Sequence, residues 1–122
     1  MPSPSQRLGS RIEKCARDFL MARGLTCVTE NFHTRFGELD LVMLDADTLV
    51  VVEVRHRRAG AMVSAVESVS PAKQRKLISA TQGLLRRRQT LASLPIRFDV
   101  VAIEGGIDAP RIRWIRDAFR PW

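Results

Sequence analysis

The segment Leu49-Val50-Val51-Val52-Glu53-Val54-Arg55 constrains this chain more than any other. A near-continuous apolar run of that length is typical of a β-strand covered on both faces. A carboxylate set into such a strand carries a desolvation penalty that either draws in a partner or pushes the group toward its neutral form. Glu53 therefore needs a partner, and the preceding segment contains a second buried acid.

That segment is Glu38-Leu39-Asp40-Leu41-Val42-Met43-Leu44, and the polar turn Asp45-Ala46-Asp47-Thr48 joins the two. Asp suits such turns because its side chain bonds nearby backbone groups. The pattern predicts an antiparallel hairpin. With Leu44 opposite Leu49, a register that a two-residue turn at Ala46-Asp47 preserves, Asp40 falls opposite Glu53 and Glu38 opposite Arg55. Glu38, Asp40, Glu53 and Arg55 then share one face with Val42, Leu44, Leu49 and Val51. Leu39, Leu41, Met43, Val50, Val52 and Val54 form the other. Two facing carboxylates repel at cross-strand distance unless they share a proton or a cation. A hard divalent ion is the favoured occupant, because Mg²⁺ is held by one or two carboxylates plus water and phosphate oxygens. The plainer alternative pairs Glu38 with Arg55 and leaves the other acids at a wet sheet end.

Twenty Lys and Arg against 13 Asp and Glu give a formal charge of +7 and an isoelectric point near 10.9. That balance favours a polyanionic partner, nucleic acid before an anionic membrane surface. Cys15 and Cys27 are the only cysteines, with neither zinc-site spacing nor a disulfide framework. No stretch approaches the ~20 apolar residues of a membrane span, and Met1-Pro2-Ser3-Pro4-Ser5 has no apolar signal core behind it. A cytoplasmic protein without membrane association is expected.

Residues 1–6 read as a flexible tail, and residues 7–122 as one domain. Leu8, Ile12, Cys15, Ala16, Phe19 and Leu20 recur at helical spacing over roughly 7–23, with Gly24 where a C-terminal cap belongs. Glu13 sits at the border of that stripe and alone reads as a surface residue. A strand from Thr26 leads through His33 and Arg35 to a turn at Gly37. After the hairpin come His56-Arg57-Arg58 and then Ser70-Pro71, a helix start with Ser as N-cap, the helix running to about Thr90. Its basic side carries Lys73, Lys76 and Arg86-Arg87-Arg88. Ile96–Ile103 is a further strand, and Arg111–Ile115 is a short last one. The order α-β-β-β-α-β-(β) is that of a mixed β-sheet flanked by helices, in the α/β class.

These pieces resemble a known arrangement. A helical Glu13, a hairpin carrying Asp40 and then Glu53-Val54-Arg55, and a helix with Lys73-Gln74 are similar to the PD-(D/E)XK nucleases of the restriction-endonuclease-like fold. The chain resembles still more closely the YraN-like family of small bacterial proteins, related to Holliday junction resolvases. Gly37-Glu38-Leu39-Asp40-Leu41, Val52-Glu53-Val54-Arg55, Arg97-Phe98-Asp99-Val100-Val101 and Trp114-Ile115 with Ala118-Phe119 carry that likeness in order along nearly the whole chain. The resemblance implies that Asp40, Glu53 and the Val54 carbonyl hold Mg²⁺ or Mn²⁺. It gives Glu13 an outer-shell role, sets Arg55 in the place of the superfamily Lys, and has Gln74 orient the site or meet the phosphate. Arg35, Arg57, Arg58 and Lys73 are the expected nucleic-acid contacts. For Arg86–Arg88, a backbone track and a solvated face both stand.

Two departures matter. Arg55 stays protonated and cannot act as a base, as a Lys can. Met62-Val63-Ser64 stands where relatives tend to carry an aromatic residue and glycines. The expected function is a divalent-metal-dependent nuclease acting on DNA, with branched or otherwise structured DNA a candidate substrate and a homodimer suggested by analogy with resolvases. Its alternatives are a noncatalytic nucleic-acid-binding module of the same fold and a protein-interaction adaptor. Asp99, beside Arg97, reads as a structural ion-pair partner.

Overall fold

The computed structural model describes residues 1–60 and 69–120. The Met62-Val63-Ser64 departure lies outside them. Helix α1 spans Pro4–Met21, strand β1 Thr26–Thr34, β2 Gly37–Asp45 and β3 Thr48–Arg57. Helix α2 spans Pro71–Arg87, β4 Ile96–Glu104 and β5 Arg111–Ile115.

Each helix begins and ends for a local reason. Ser3 caps α1, accepting from the Gln6 amide while the Gln6 side chain accepts from the Ser3 amide, and Pro4 fills the first helical position. The helix thus starts earlier than its apolar spacing suggests, and residues 4–6, expected in the tail, belong to it. At the other end Gly24 has a φ of 96°. The Gly24 amide donates to the Met21 carbonyl and the Leu25 amide to that of Leu20, the Schellman pattern that a glycine permits. Ser70 caps α2 through the Lys73 amide, with Pro71 behind it. That helix ends at Arg87, three residues short of the expected end, with Arg86 and Arg87 against its negative pole.

The sheet order is β1-β2-β3-β4-β5. All neighbours are antiparallel except β3 and β4. A parallel pair needs a long crossover, and α2 lies in it. Strand β3 is therefore central, and Leu49 through Glu53 are all buried. One core joins Ile12, Ala16 and Leu20 of α1 to Leu41, Met43, Val50, Val52, Val101 and Ile103. The other joins Leu77, Ala80 and Leu84 of α2 to Val42, Leu49, Val51, Phe98 and Val100. Phe119 stacks on Phe98 with ring centroids 5.3 Å apart. Among the described residues no helix is long and apolar enough to cross a membrane.

The hairpin register is the expected one. Leu44 pairs with Leu49 and Asp45 with Thr48, and the turn places Ala46 at a φ of 54°. On β4, opposite Val52, Asp99 is fully buried. It accepts from Arg97 Nε and Nη2, from Trp114 Nε1 and from the Asp117 amide. That carboxylate ties β4 to β5 and to the chain beyond it.

Candidate active site

Strands β2 and β3 separate at Asp40. Their ladder runs from Asp45↔Thr48 only as far as Leu41↔Val52. The β1–β2 ladder pairs Glu30 with Leu41 and Phe32 with Leu39, stepping over Asn31 and Asp40. Asn31 has a left-handed φ of 49°, which Asn tolerates better than most residues. The pleat of β2 breaks at the same level: Leu41 and Met43 pack with α1, whereas Leu39 packs with α2. This corrects the single apolar face expected for Leu39, Leu41 and Met43. The Glu38–Arg55 cross-strand pair also does not form. Glu38 instead lies beside His33, Nδ1 to Oε2 3.1 Å.

The break turns Asp40 into the fork. Its Oδ2 accepts the Val54 amide at 3.0 Å, so a side chain replaces the backbone acceptor that a continuous ladder would offer. Glu53 stays anchored on its other side, opposite Val100 of β4, with its side chain only 5% exposed. The two carboxyl groups come within proton-sharing reach. Burial first, then the hydrogen bond and charge of Asp40, push Glu53 up to about 8, against the opposing pull of Lys73 and Arg55. Glu13 reaches the same neighbourhood from α1. Burial, then the Asp40 charge, raise it to about 6, while a hydrogen bond with Asn31 works the other way.

Two cations close the other side. Lys73 Nζ lies 3.6 Å from Glu53 Oε2 and Arg55 Nη2 lies 4.0 Å from it. Neither distance is a hydrogen bond. Glu53 Oε2, Glu13 Oε2 and Arg55 Nε are buried without a hydrogen-bond partner among the described residues. Buried polar atoms in that state are uncommon and call for an explanation such as an ion, a water or a substrate.

The donor set fits a hard divalent cation. Asp40 and Glu53 are two interacting carboxylates, and the Glu53 Oε2 that lacks a hydrogen-bond partner lies 3.6 Å from Lys73 Nζ. No three His, Cys, Asp or Glu side chains form a ready-made cage among the described residues. Mg²⁺ does not require one, since it keeps several waters and uses one or two carboxylates.

The remaining expected site residues are placed as follows. Gln74 directs its amide to the Val69 carbonyl at 3.1 Å, securing the start of α2, and makes no hydrogen bond to the carboxylates. Arg35 stands at the exposed β1–β2 turn, while Arg57 and Arg58 lie at the end of β3. All three are at the same end of the sheet as Asp40. Lys73, expected on the nucleic-acid backbone, approaches Glu53; that approach depends on how α2 docks and has no local signal. Asn31 was missed too, although an Asn inside a strand pattern is a recognisable sign of left-handed backbone.

The five-stranded mixed sheet with two helices, in the order α-β-β-β-α-β-β, places the chain in the restriction-endonuclease-like class of α/β fold. Within that class the chain belongs to the family described as uncharacterised protein family UPF0102, the YraN-like family, whose profile matches residues 12–103. It is 44% identical over 119 residues to a UPF0102 protein of Nitrosococcus oceani, covering 98% of this chain and 96% of that one. A Xanthomonas euvesicatoria pv. vesicatoria relative is 48% identical over 120 residues, covering 98% and 97%. One from Stutzerimonas stutzeri is 49% identical over 117 residues, covering 96% and 98%.

Proposed function

We propose that this protein is a divalent-metal-dependent phosphodiesterase acting on DNA, with Asp40 and Glu53 as the metal ligands. The observation that carries this reading is the buried, unpartnered Oε2 of Glu53, set beside Asp40 and flanked by Lys73 and Arg55. An acid raised to about 8 is held near-neutral in the absence of a cation. A cation between the carboxylates offsets that shift by favouring their ionised form. The Val54 carbonyl would be a third ligand.

When bound, the metal supplies Lewis-acid polarisation of a phosphate oxygen and lowers the pKa of a coordinated water. The chain's own groups do the rest. Lys73 and Arg55 face the developing negative charge on the non-bridging oxygens, Arg55 as a planar fork and Lys73 as a movable point charge. Glu13, with a carboxyl pKa of about 6, holds a water beside Asp40. Water adds to phosphorus and the bond to the leaving sugar oxygen breaks, giving a phosphomonoester and a free hydroxyl. The formal charge of +7 supports a polyanionic substrate.

Calorimetry with Mn²⁺ on wild type, Asp40→Asn and Glu53→Gln tests the metal, and cleavage of branched DNA in Mn²⁺ tests the reaction. Binding heats that vanish in both variants, together with wild-type cleavage, are expected. Equal heats in all three proteins would remove the site. DNA binding without cleavage would select the noncatalytic module instead.

A further inference from the structure

A second feature lies at the β1–β2 turn, away from the paired carboxylates. The β1–β2 turn and the C-terminal half of α2 enclose an open groove of about 370 Å³, lined by Thr34, Arg35, Phe36, Gly83, Arg86 and Arg87. That volume is at the small end of ligand sites, the size of a single small ligand rather than a duplex. Its floor exists because Gly83 has no side chain: a Cβ there would stand 3.0 Å from Thr34 Cγ2. Thr34 cannot swing away, since its Oγ1 donates to the Gly37 carbonyl at 2.8 Å and accepts the Phe36 and Gly37 amides.

Two properties separate this groove from an ordinary basic surface. Phe36 is 51% exposed, and the Arg35 guanidinium sits 4.9 Å from its ring centroid. An aromatic ring is thus held at the surface with much of it open to solvent. Second, three arginines converge here without a carboxylate among them, unlike Arg17 beside Glu30, Arg97 beside Asp99 and Arg120 beside Asp117. Among the described residues Arg35, Arg86 and Arg87 have no acidic partner; Arg87 instead covers the Phe32 ring. Three uncompensated guanidinium groups around an open aromatic face match the recognition of single-stranded nucleic acid, in which bases stack on rings and cations track phosphates.

We propose that this groove seats a single-stranded nucleotide of a DNA substrate, its base against Phe36 and its flanking phosphates on Arg35, Arg86 and Arg87. The inference rests on the nuclease reading above and specifies its substrate. Gly37, the first residue of β2, is three residues from Asp40, or about 10 Å along a strand. The groove and the carboxylates are thus near enough for one strand of DNA to reach both. The substrate class is therefore duplex DNA with an unpaired segment close to the cut.

Fluorescence anisotropy on the Glu53→Gln background tests this without cleavage. The probes are one duplex with blunt ends and the same duplex with a six-nucleotide overhang. The overhang is expected to bind about tenfold more tightly than the blunt end, the size of one stacked base. Adding Phe36→Ala removes that preference and leaves blunt binding unchanged. Adding Arg86→Ala with Arg87→Ala weakens overhang binding and flattens its salt dependence by about 1.4 in the log–log slope, for two lost phosphate contacts. Phe36 lies in an exposed turn, and circular dichroism confirms that the variants fold. A preference that survives Phe36→Ala overturns the groove while DNA binding, and the nuclease reading, stand. If neither probe binds, both fall.

Discussion

Replacing Glu53 by Gln keeps the side chain's shape and an acceptor oxygen, and removes the charge that burial opposes. The folded carboxyl titrates near 8 against an ordinary value of 4.5, with desolvation the leading cause and the pull of Lys73 and Arg55 already included. Between those two values the native state holds a proton that the unfolded chain has released. Stability therefore falls as pH rises through the window, and the full penalty is present above 8. At 1.36 kcal/mol per pH unit, the separation corresponds to on the order of 5 kcal/mol above pH 8, and to on the order of 1 kcal/mol at pH 5.5. The metal-free Gln variant should gain stability over wild type by about 3 kcal/mol more at pH 9 than at pH 5.5. Urea unfolding followed by circular dichroism reads this directly. With a slope near 1.5 kcal/mol/M, the midpoint difference between variant and wild type grows by about 2 M. Saturating Mn²⁺ should stabilise wild type, by about 2.7 kcal/mol at a hundredfold excess over Kd, and leave the variant unmoved. A difference that is the same at both pH values would refute the desolvation argument, as would a variant less stable than wild type at pH 9.

Asp40→Asn keeps an acceptor for the Val54 amide but removes the charge that raises both neighbours. The pKa of Glu53 should fall below about 8 and that of Glu13 below about 6, read by carboxyl NMR titration; two unchanged curves would break the proposed coupling. Asp99→Ala strips four donors from a fully buried carboxylate and leaves Arg97 underpaired. It should cost about 3–5 kcal/mol in urea unfolding, and a loss under 1 kcal/mol would make the β4–β5 tie unimportant. Gly83→Ala sets a helix-propensity gain of about 1 kcal/mol against overpacking on Thr34 of about 1–3 kcal/mol. It should destabilise wild type yet stabilise a Thr34→Ser protein, which lacks the obstructing methyl and keeps the hydroxyl; thermal melts of the four proteins check the reversal.

The sequence alone determined the elements and the hairpin. Ser3, Gly24 and Ser70-Pro71 mark helix ends through local backbone chemistry. The period-two pattern on either side of Asp45-Ala46-Asp47-Thr48 admits few registers, because a one-residue slip exchanges buried and exposed faces. The unbroken apolar run of β3 predicted a strand covered on both sides, and its burden of a charged residue singled out Glu53. The likeness to the YraN-like family rested on the same strings, and the family is the right one.

Only the tertiary structure decided how the acids meet. A pattern of alternating residues assumes a regular pleat, and the pleat of β2 breaks at Asp40, opposite the left-handed Asn31, with Leu39 on the α2 side and Asp40 in the fork. Glu38 and Arg55 lose each other because the ladder stops at Leu41↔Val52. The approach of Lys73 to Glu53, and of Gly83 to Thr34, depends on where a crossover helix docks against the sheet. Packing among distant residues sets that position, and no local spacing encodes it.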